Sequence, residues 1–327
     1  MTAAPASAQT VLRVANWLPP QHPLFAQIIK PWTEKVGEVT DGRVVMEVLD
    51  APLGPPPAHF DFAVNGVADV TYGVHSYTPG RFVVTELAEL SFLCEKSAYL
   101  SPAWWRIHQE YFAKLDEHRG AKLLGLWVHG PGQLWTRDRD VSSLDSIKGA
   151  KIRIGGGFSQ DVAKALGFVP IQAPVTKAYE ILSGGVADGI QFPAESVTAF
   201  KIDEVLDQGL IVPGGLYTAS MFLVMNSAKW DSLSKEDQEA IESISGEALA
   251  VIAGDVWDKA DQDAYSIMKE KGNIKLVTPD ATEMEAMTAA IEPYKQEVLD
   301  AISAKGVDGQ EVYDALKAEI AKIKASK

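Results

Sequence analysis

The sequence predicts an α/β protein of two similar lobes, each a sheet flanked by helices. Three observations carry this. The chain has 327 residues, too many for one ordinary core, since a domain holds roughly 100 to 200. Apolar periodicity alternates between strand-like and helix-like segments, which is the pattern of β-α-β units. One four-residue phrase also recurs in the same setting, first as Gly66-Val67-Ala68-Asp69 and again as Gly185-Val186-Ala187-Asp188.

The first strand runs from Leu12 to Asn16, where apolar and polar side chains alternate before Pro19 and Pro20. Phe25, Ile28, Ile29, Trp32 and Val36 then recur at spacings of three and four, giving a helix with one apolar face and a kink at Pro31. Asp41-Gly42 turns the chain into a second strand, Val44 to Leu49. Each copy of the Gly-Val-Ala-Asp phrase follows a helix-like segment and leads into a strand, Val70 to Val74 and Gly189 to Phe192. Its glycine stands where a helix C-terminus needs a left-handed residue. Leu12-Arg13-Val14-Ala15 and Lys151-Ile152-Arg153-Ile154 likewise both read as opening strands, the second closed by Gly155-Gly156-Gly157.

Leu123 to Val128 is a strand that ends at Gly130-Pro131-Gly132, the expected crossing and hinge between the lobes. Met221 to Asn226 carries the chain back. A long helical region begins at Ser234, which stands at capping-box spacing from Asp237, and Ile241, Ile244, Ala248 and Ile252 form its apolar stripe. Amphipathic helix continues from Glu283 to a solvated, lysine-rich end at Lys327. The lobes are expected at 11–130 plus 220–257 and at 131–219 plus 258–327, with 1–10 a residual tail outside both.

Composition narrows the function. With 46% hydrophobic and 23% charged residues, the chain is that of a folded domain and not a disordered one. A net charge of −14 argues against nucleic acid and anionic lipid, whose binding needs clustered Lys and Arg. The one cysteine, Cys94, allows no internal disulfide and no cysteine-built zinc site. The six histidines include no His-x-x-x-His pair, and no Asp-x-Asp-x-Asp loop occurs, so neither a metal nor a cofactor is expected. No run of about 18 apolar residues is present to span a bilayer. Ala6-Ser7-Ala8 has the small-x-small form cut by signal peptidase, which points to export into the periplasm; an alanine-rich disordered start is the other reading.

Ile147-Lys148-Gly149-Ala150-Lys151-Ile152-Arg153, Ala165-Leu166-Gly167-Phe168-Val169-Pro170, Ala178-Tyr179-Glu180-Ile181-Leu182, Gly184 to Gly189 and Pro193 follow in an order and spacing that resemble the DctP-type solute receptors of tripartite ATP-independent periplasmic (TRAP) transporters. Pro79-Gly80-Arg81-Phe82 with Glu86-Leu87, and Asn226 with Trp230 and Leu233, extend the likeness to nearly the whole chain. The resemblance implies a two-lobed receptor of the periplasmic-binding-protein kind, with a long helix spanning both lobes. It implies a receptor that closes on a small organic anion and docks on TRAP permease subunits, without catalysis; a monomer is expected. It also implies that Arg153, on the opening strand of the second lobe, grips the solute carboxylate. A second Arg of the sialic acid-binding members is replaced by Gln133, which argues against a sialic-acid-like solute.

Chemistry supports that role for Arg153. Alternation along Lys151 to Ile154 puts Ile152 and Ile154 on one face and Arg153 on the other, free to project into a cleft. A guanidinium offers a planar fork of donors that matches a carboxylate in two bonds, which an ammonium cannot do. Taken without the family likeness, the same arginine reads as a surface residue or half of an ion pair. Ligands of α/β sheets sit beyond the carboxyl ends of the strands, and those ends carry Trp17, Val74, His75, Gln191 and Phe192; Phe158 follows Arg153 and Tyr217 lies near the return crossing. Each aromatic taken singly also reads as core or rim, and His75 reads equally as a donor to the solute or as a satisfied buried histidine. As a group they suggest an apolar or aromatic body. Phe192 would leave the hydroxyls of a sugar acid unpaired, so a carboxylate with a flat or aliphatic remainder is expected.

Two other classes compete with transport. An α/β enzyme would show a Gly-x-Ser-x-Gly elbow, a Walker A loop or a Gly-x-Gly-x-x-Gly turn, and the sequence has none. A sensor module on the same fold would bind the solute without delivering it.

Overall fold

The computed structural model describes residues 9–327; the Ala6-Ser7-Ala8 motif lies outside the described residues. Among the described residues eleven strands form two sheets: β1 (Thr10–Val14), β2 (Val44–Val48), β3 (Val70–Val74), β4 (Ala121–Val128), β5 (Gln133–Thr136), β6 (Lys151–Ile154), β7 (Val169–Gln172), β8 (Gly189–Phe192), β9 (Gln208–Leu210), β10 (Ser220–Asn226) and β11 (Lys275–Val277). The first sheet has the order β2-β1-β3-β10-β4. The second repeats it as β7-β6-β8-β5-β9 and adds β11 at the edge. Strand senses repeat too: β1 is parallel to both neighbours, as is β6, while β10 and β5 run antiparallel to theirs.

The recurring Gly-Val-Ala-Asp phrase has one physical job in both lobes. Gly66 and Gly185 each take φ +69°, closing the preceding helix. The aspartate then pairs with the opening strand: Asp69 Oδ2 accepts the N–H of Arg13 at 2.7 Å, and Asp188 Oδ2 accepts that of Lys151 at 2.8 Å. Each aspartate's own N–H returns a bond to the carbonyl of the same residue, at 2.9 and 2.7 Å. The phrase therefore sets the register in which β3 and β8 join their sheets.

Two helical expectations need correction. The apolar segment around Phe25 opens as a wide π-turn, Leu24–Ile29, and becomes α-helix only at Lys30–Val39. Pro31 lacks the N–H that would continue the earlier ladder, so helix type changes there. Downstream, Ser234 Oγ does cap its helix, accepting Asp237 N–H at 3.1 Å, but that helix ends at Ser243 and the long one is Gly246–Lys271. Gly246 takes φ +59° with Trp105 packed where a side chain would begin. This break resets the helical phase. Ala248 is exposed and Ile252 is half exposed, and the buried face is instead Leu249, Ala253, Trp257, Ala264 and Met268.

Three segments join the lobes. His129 to Gly132 runs from β4 to β5, residues 211–219 run from β9 to β10, and the long helix packs on Ser97–Ile107 beside the first sheet and on Ala194–Ala199 beside the second. The first two segments pair with each other through Gly132 N–H to Tyr217 O at 2.9 Å and Leu216 N–H to Gly132 O at 2.8 Å. The glycines allow close approach: a Cβ on Gly132 would lie 2.2 Å from the Tyr217 ring, and one on Gly130 would lie 1.7 Å from Asp261 Oδ2. The terminal helices are Ala281–Ser303 and Gly309–Ser326, the second folding back onto Ser97–Ile107. Its final lysines are exposed and paired, Lys324 with Glu95 and Lys327 with Asp255.

Candidate functional site

The carboxyl ends of β1 and β3 face those of β6 and β8 across the crossing segments and enclose a cavity of about 50 Å³. The first lobe contributes Trp17, Leu18, His22, Val74, Ser76 and Tyr77. The second contributes Arg153, Val175, Phe192 and Phe200, with Tyr217 from a crossing and Trp257 from the long helix. A wider groove of about 380 Å³ lies elsewhere, against Trp105, His108 and Lys122. Size does not decide between them, because only the inner cavity presents a buried cation that lacks a counter-charge.

That cation is Arg153, 1% exposed. Its neighbours Ile152 and Ile154 pack into the opposite, helix-covered face of the strand, as alternation predicts. Nε and Nη2 both donate to the carbonyl of Ala173, at 3.0 and 2.5 Å. The guanidinium carbon lies 5.1 Å from the centre of the Phe192 ring, a cation–π contact. Among the described residues no carboxylate pairs with it, and Nη1 has no protein acceptor. One edge of the fork is thus fixed and the other is open toward the cavity.

The surrounding rings are held by their own polar ends. Trp17 Nε1 donates to Tyr72 O at 3.0 Å, and Tyr217 Oη donates to Gln191 O at 3.0 Å. Tyr77 Oη accepts Val175 N–H at 3.1 Å. On the far wall His22 Nε2 lies 3.4 Å from Glu195 Oε1. Burial drives both toward neutrality, lowering His22 to about 4 and raising Glu195 to about 8, the latter helped by nearby Asp261 and opposed by Ser196. Both groups are thus driven toward their uncharged forms, and Glu195 Oε1 has no hydrogen-bond partner among the described residues. Asp261, itself pushed up to about 7 by burial, accepts the Glu195 N–H at 2.7 Å.

Of the nine residues singled out from the sequence, the cavity brings together Arg153, Phe192, Trp17, Tyr217 and Val74. Four lie outside its lining. His75 is one residue past Val74 and so points the other way, where its Nε2 meets His118 Nε2 at 2.9 Å among Phe82 and Phe222. Gln191 alternates with Phe192 in the same manner and reaches the site only through its carbonyl. Gln133 is tied up by Val212, accepting its N–H at 2.7 Å and donating to its carbonyl at 3.1 Å. Phe158 opens the helix Phe158–Ala165 and is fully buried behind the sheet with Ile152 and Val162. The alternation used to aim Arg153 would have turned His75 and Gln191 away. Sequence reasoning missed His22, Tyr77, Val175, Phe200 and Trp257, of which only Tyr77 carried a signal, as an aromatic just past the end of β3.

Residues 14–301 match the family described as bacterial extracellular solute-binding protein, family 7, or DctP. The chain is 32% identical to a Comamonas testosteroni protein named outer membrane transporter protein TsaT, over 93% of this chain and 90% of that one. Among solved structures it is similar to a TRAP periplasmic solute-binding protein of Bordetella bronchiseptica with bound (R)- and (S)-mandelate, at TM-score 0.93 and 40% identity, covering 96% of this chain and 99% of that chain. It is also similar to a TRAP solute-binding protein of Rhodoferax ferrireducens in complex with copurified benzoate, at TM-score 0.90 and 27% identity, covering 97% and 99%.

Proposed function

The chain belongs to family 7 of the bacterial extracellular solute-binding proteins, the DctP family, and from that premise we propose that its solute is a small carboxylic acid carrying one aromatic ring. The carrying observation is Arg153, buried to 1% exposure with no acidic partner among the described residues. An isolated buried charge costs several kcal/mol, and a ligand carboxylate supplies the missing counter-ion in the bidentate geometry a guanidinium favours.

The walls select the rest of the molecule. Trp17, Phe192, Phe200, Tyr217 and Trp257 present rings and few free polar groups. The cavity is small, about 50 Å³, which favours a single-ring acid over a larger solute. The relatives agree with this size: one carries mandelate, one benzoate, and a marine metagenome protein of 29% identity carries 3-hydroxybenzoate.

On this reading residues 11–130 with 220–257 and residues 131–219 with 258–327 are the two lobes of a clamp, with Gly130-Pro131-Gly132 as one hinge strand. The protein is an exported, periplasmic monomer, its signal segment ending near Ala8. It delivers the acid unchanged to a TRAP permease. Arg153, Phe192, Trp17, Tyr217 and Val74 contact the solute, while Gln133, His75, Gln191 and Phe158 support those contacts from behind. A thermal-shift screen against organic acids tests this: an aromatic monocarboxylate at 100 times its dissociation constant adds about 2.7 kcal/mol of stability. A screen in which only sugar acids or dicarboxylates raise the melting temperature would overturn the aromatic assignment.

A further inference from the structure

Tyr77 is bonded across the two lobes. It ends the short turn His75–Tyr77 that follows β3, and its oxygen accepts the N–H of Val175 in the second lobe at 3.1 Å. Two residues before Val175 stands the Ala173 carbonyl that holds Arg153. The segment Ala173-Pro174-Val175 thus fastens the guanidinium at one end and the phenol of the opposite lobe at the other.

A hydroxyl has one proton to give besides the lone pairs with which it accepts. Tyr77 uses its oxygen on Val175, and no acceptor among the described residues takes its proton. Of the other ring donors of the cavity, Trp17 is engaged on Tyr72 and Tyr217 on Gln191, while Trp257 Nε1 is buried without a partner among the described residues. With Trp257 Nε1, Arg153 Nη1 and the Tyr77 hydroxyl are donors on one cavity that no acceptor among the described residues takes up. Both residues line that cavity together with the Tyr217 ring.

We propose that Tyr77 is a second carboxylate-binding residue, donating its hydroxyl to the acid held by Arg153 while it accepts from Val175. The inference rests on the aromatic-acid reading above. A bound acid then completes a chain of hydrogen bonds from one lobe to the other, in which each bond polarises the next. Tyr77 acts both in recognising the anion and in making closure depend on it.

Calorimetric titration with benzoate and with mandelate tests this on three proteins. Tyr77→Phe keeps the ring and its edge contact with Trp17 but has no hydroxyl. Val175→Pro removes the N–H and exchanges the isopropyl group in the cavity wall for a ring of similar bulk, at a position where the preceding Pro174 is already extended, with φ −64° and ψ 157°. Tyr77→Phe is expected to bind roughly ten- to a hundredfold more weakly, because it loses a bond to a charged group, and Val175→Pro to lose less, roughly two- to fivefold. Both variants lose the Tyr77–Val175 bond, so their ligand-free melting temperatures should each fall slightly and by similar amounts. Wild-type affinity in Tyr77→Phe overturns the proposal, and so does an equal loss in Val175→Pro, which would make the phenol a tie between lobes and nothing more. A wild type that binds neither acid overturns the aromatic-acid reading and this inference with it.

Discussion

The guanidinium carbon of Arg153 sits 5.1 Å from the centre of the Phe192 ring, the two residues standing on neighbouring parallel strands, β6 and β8. The ring covers one face of the cation while Ala173 fixes one edge, so the geometry of the free edge is set before a solute arrives. Pre-organisation of this kind lowers the ordering cost of binding.

Arg153→Ala is expected to cost about 3 to 5 kcal/mol of binding energy, the usual penalty for stranding one member of a buried charge pair, or two decades and more in affinity. Arg153→Lys should also bind poorly, since an ammonium cannot hold Ala173 and a carboxylate in one rigid plane. Calorimetry with benzoate measures both, and near wild-type affinity in Arg153→Lys would remove this residue from its role.

Phe192→Asn exchanges a ring in the wall for an amide. Benzoate should bind about tenfold or more weakly, as expected when 1.5 to 3 kcal/mol of apolar burial is lost. A polyhydroxylated acid such as gluconate should lose less, or gain, because the new amide can pair its hydroxyls. Parallel thermal shifts with the two acids give the ratio, and an unchanged ratio would show that this wall does not select.

Glu195 gives stability a pH dependence of definite sign. Its folded pKa of about 8 stands above the ordinary 4.5, so between those values the folded protein keeps a proton that the unfolded chain has released. Stability therefore falls as pH rises, by about 1.4 kcal/mol per pH unit for one such group. Asp261 and Glu86, near 7, act in the same direction over a shorter range. His22, His59, His108 and His129, all lowered to about 4, act oppositely but only below about pH 6.5, where unfolded imidazoles carry charge. Melting temperatures between pH 6.5 and 8 isolate the carboxyls: they should fall in the wild type and fall less steeply in Glu195→Gln. Parallel slopes in the two proteins would mean that Glu195 is ionised in the folded state.

Asp188→Ala removes the acceptor of the Lys151 N–H and leaves the turn glycine in place. A loss of about 1 to 3 kcal/mol is expected, the cost of stranding a partly buried donor. Urea midpoints report it, and Asp69→Ala should show a comparable loss through Arg13. An unmoved midpoint in both variants would deny the repeated phrase its structural job.

Much of this was legible because the physics was local. A glycine closing a helix and an aspartate three residues on, in both halves, announced two like lobes before any contact was known. Alternation within four residues aimed Arg153 correctly. What failed was reasoning that stopped at the ends of strands: His75 and Gln191 each neighbour a lining residue, yet the pleat turns them to the other face. The break at Gly246 was hidden because a helical stripe can be drawn through Ile241 and Ile252 if no interruption is assumed. His22, Phe200 and Trp257 reach the cavity from three remote segments, and nothing in their immediate neighbours records that meeting.

The order β2-β1-β3-β10-β4 also has a consequence for biosynthesis. A growing chain that has just completed Val128 contains both β3 and β4, but the strand that belongs between them ends at Asn226, 98 residues later (226 − 128). At roughly 5 to 20 residues per second, the half-made sheet waits on the order of 5 to 20 seconds with two unpaired edges. Misregistered pairing of β3 with β4 is the error such a delay invites, and a chaperone that shields those edges during synthesis would act on this interval.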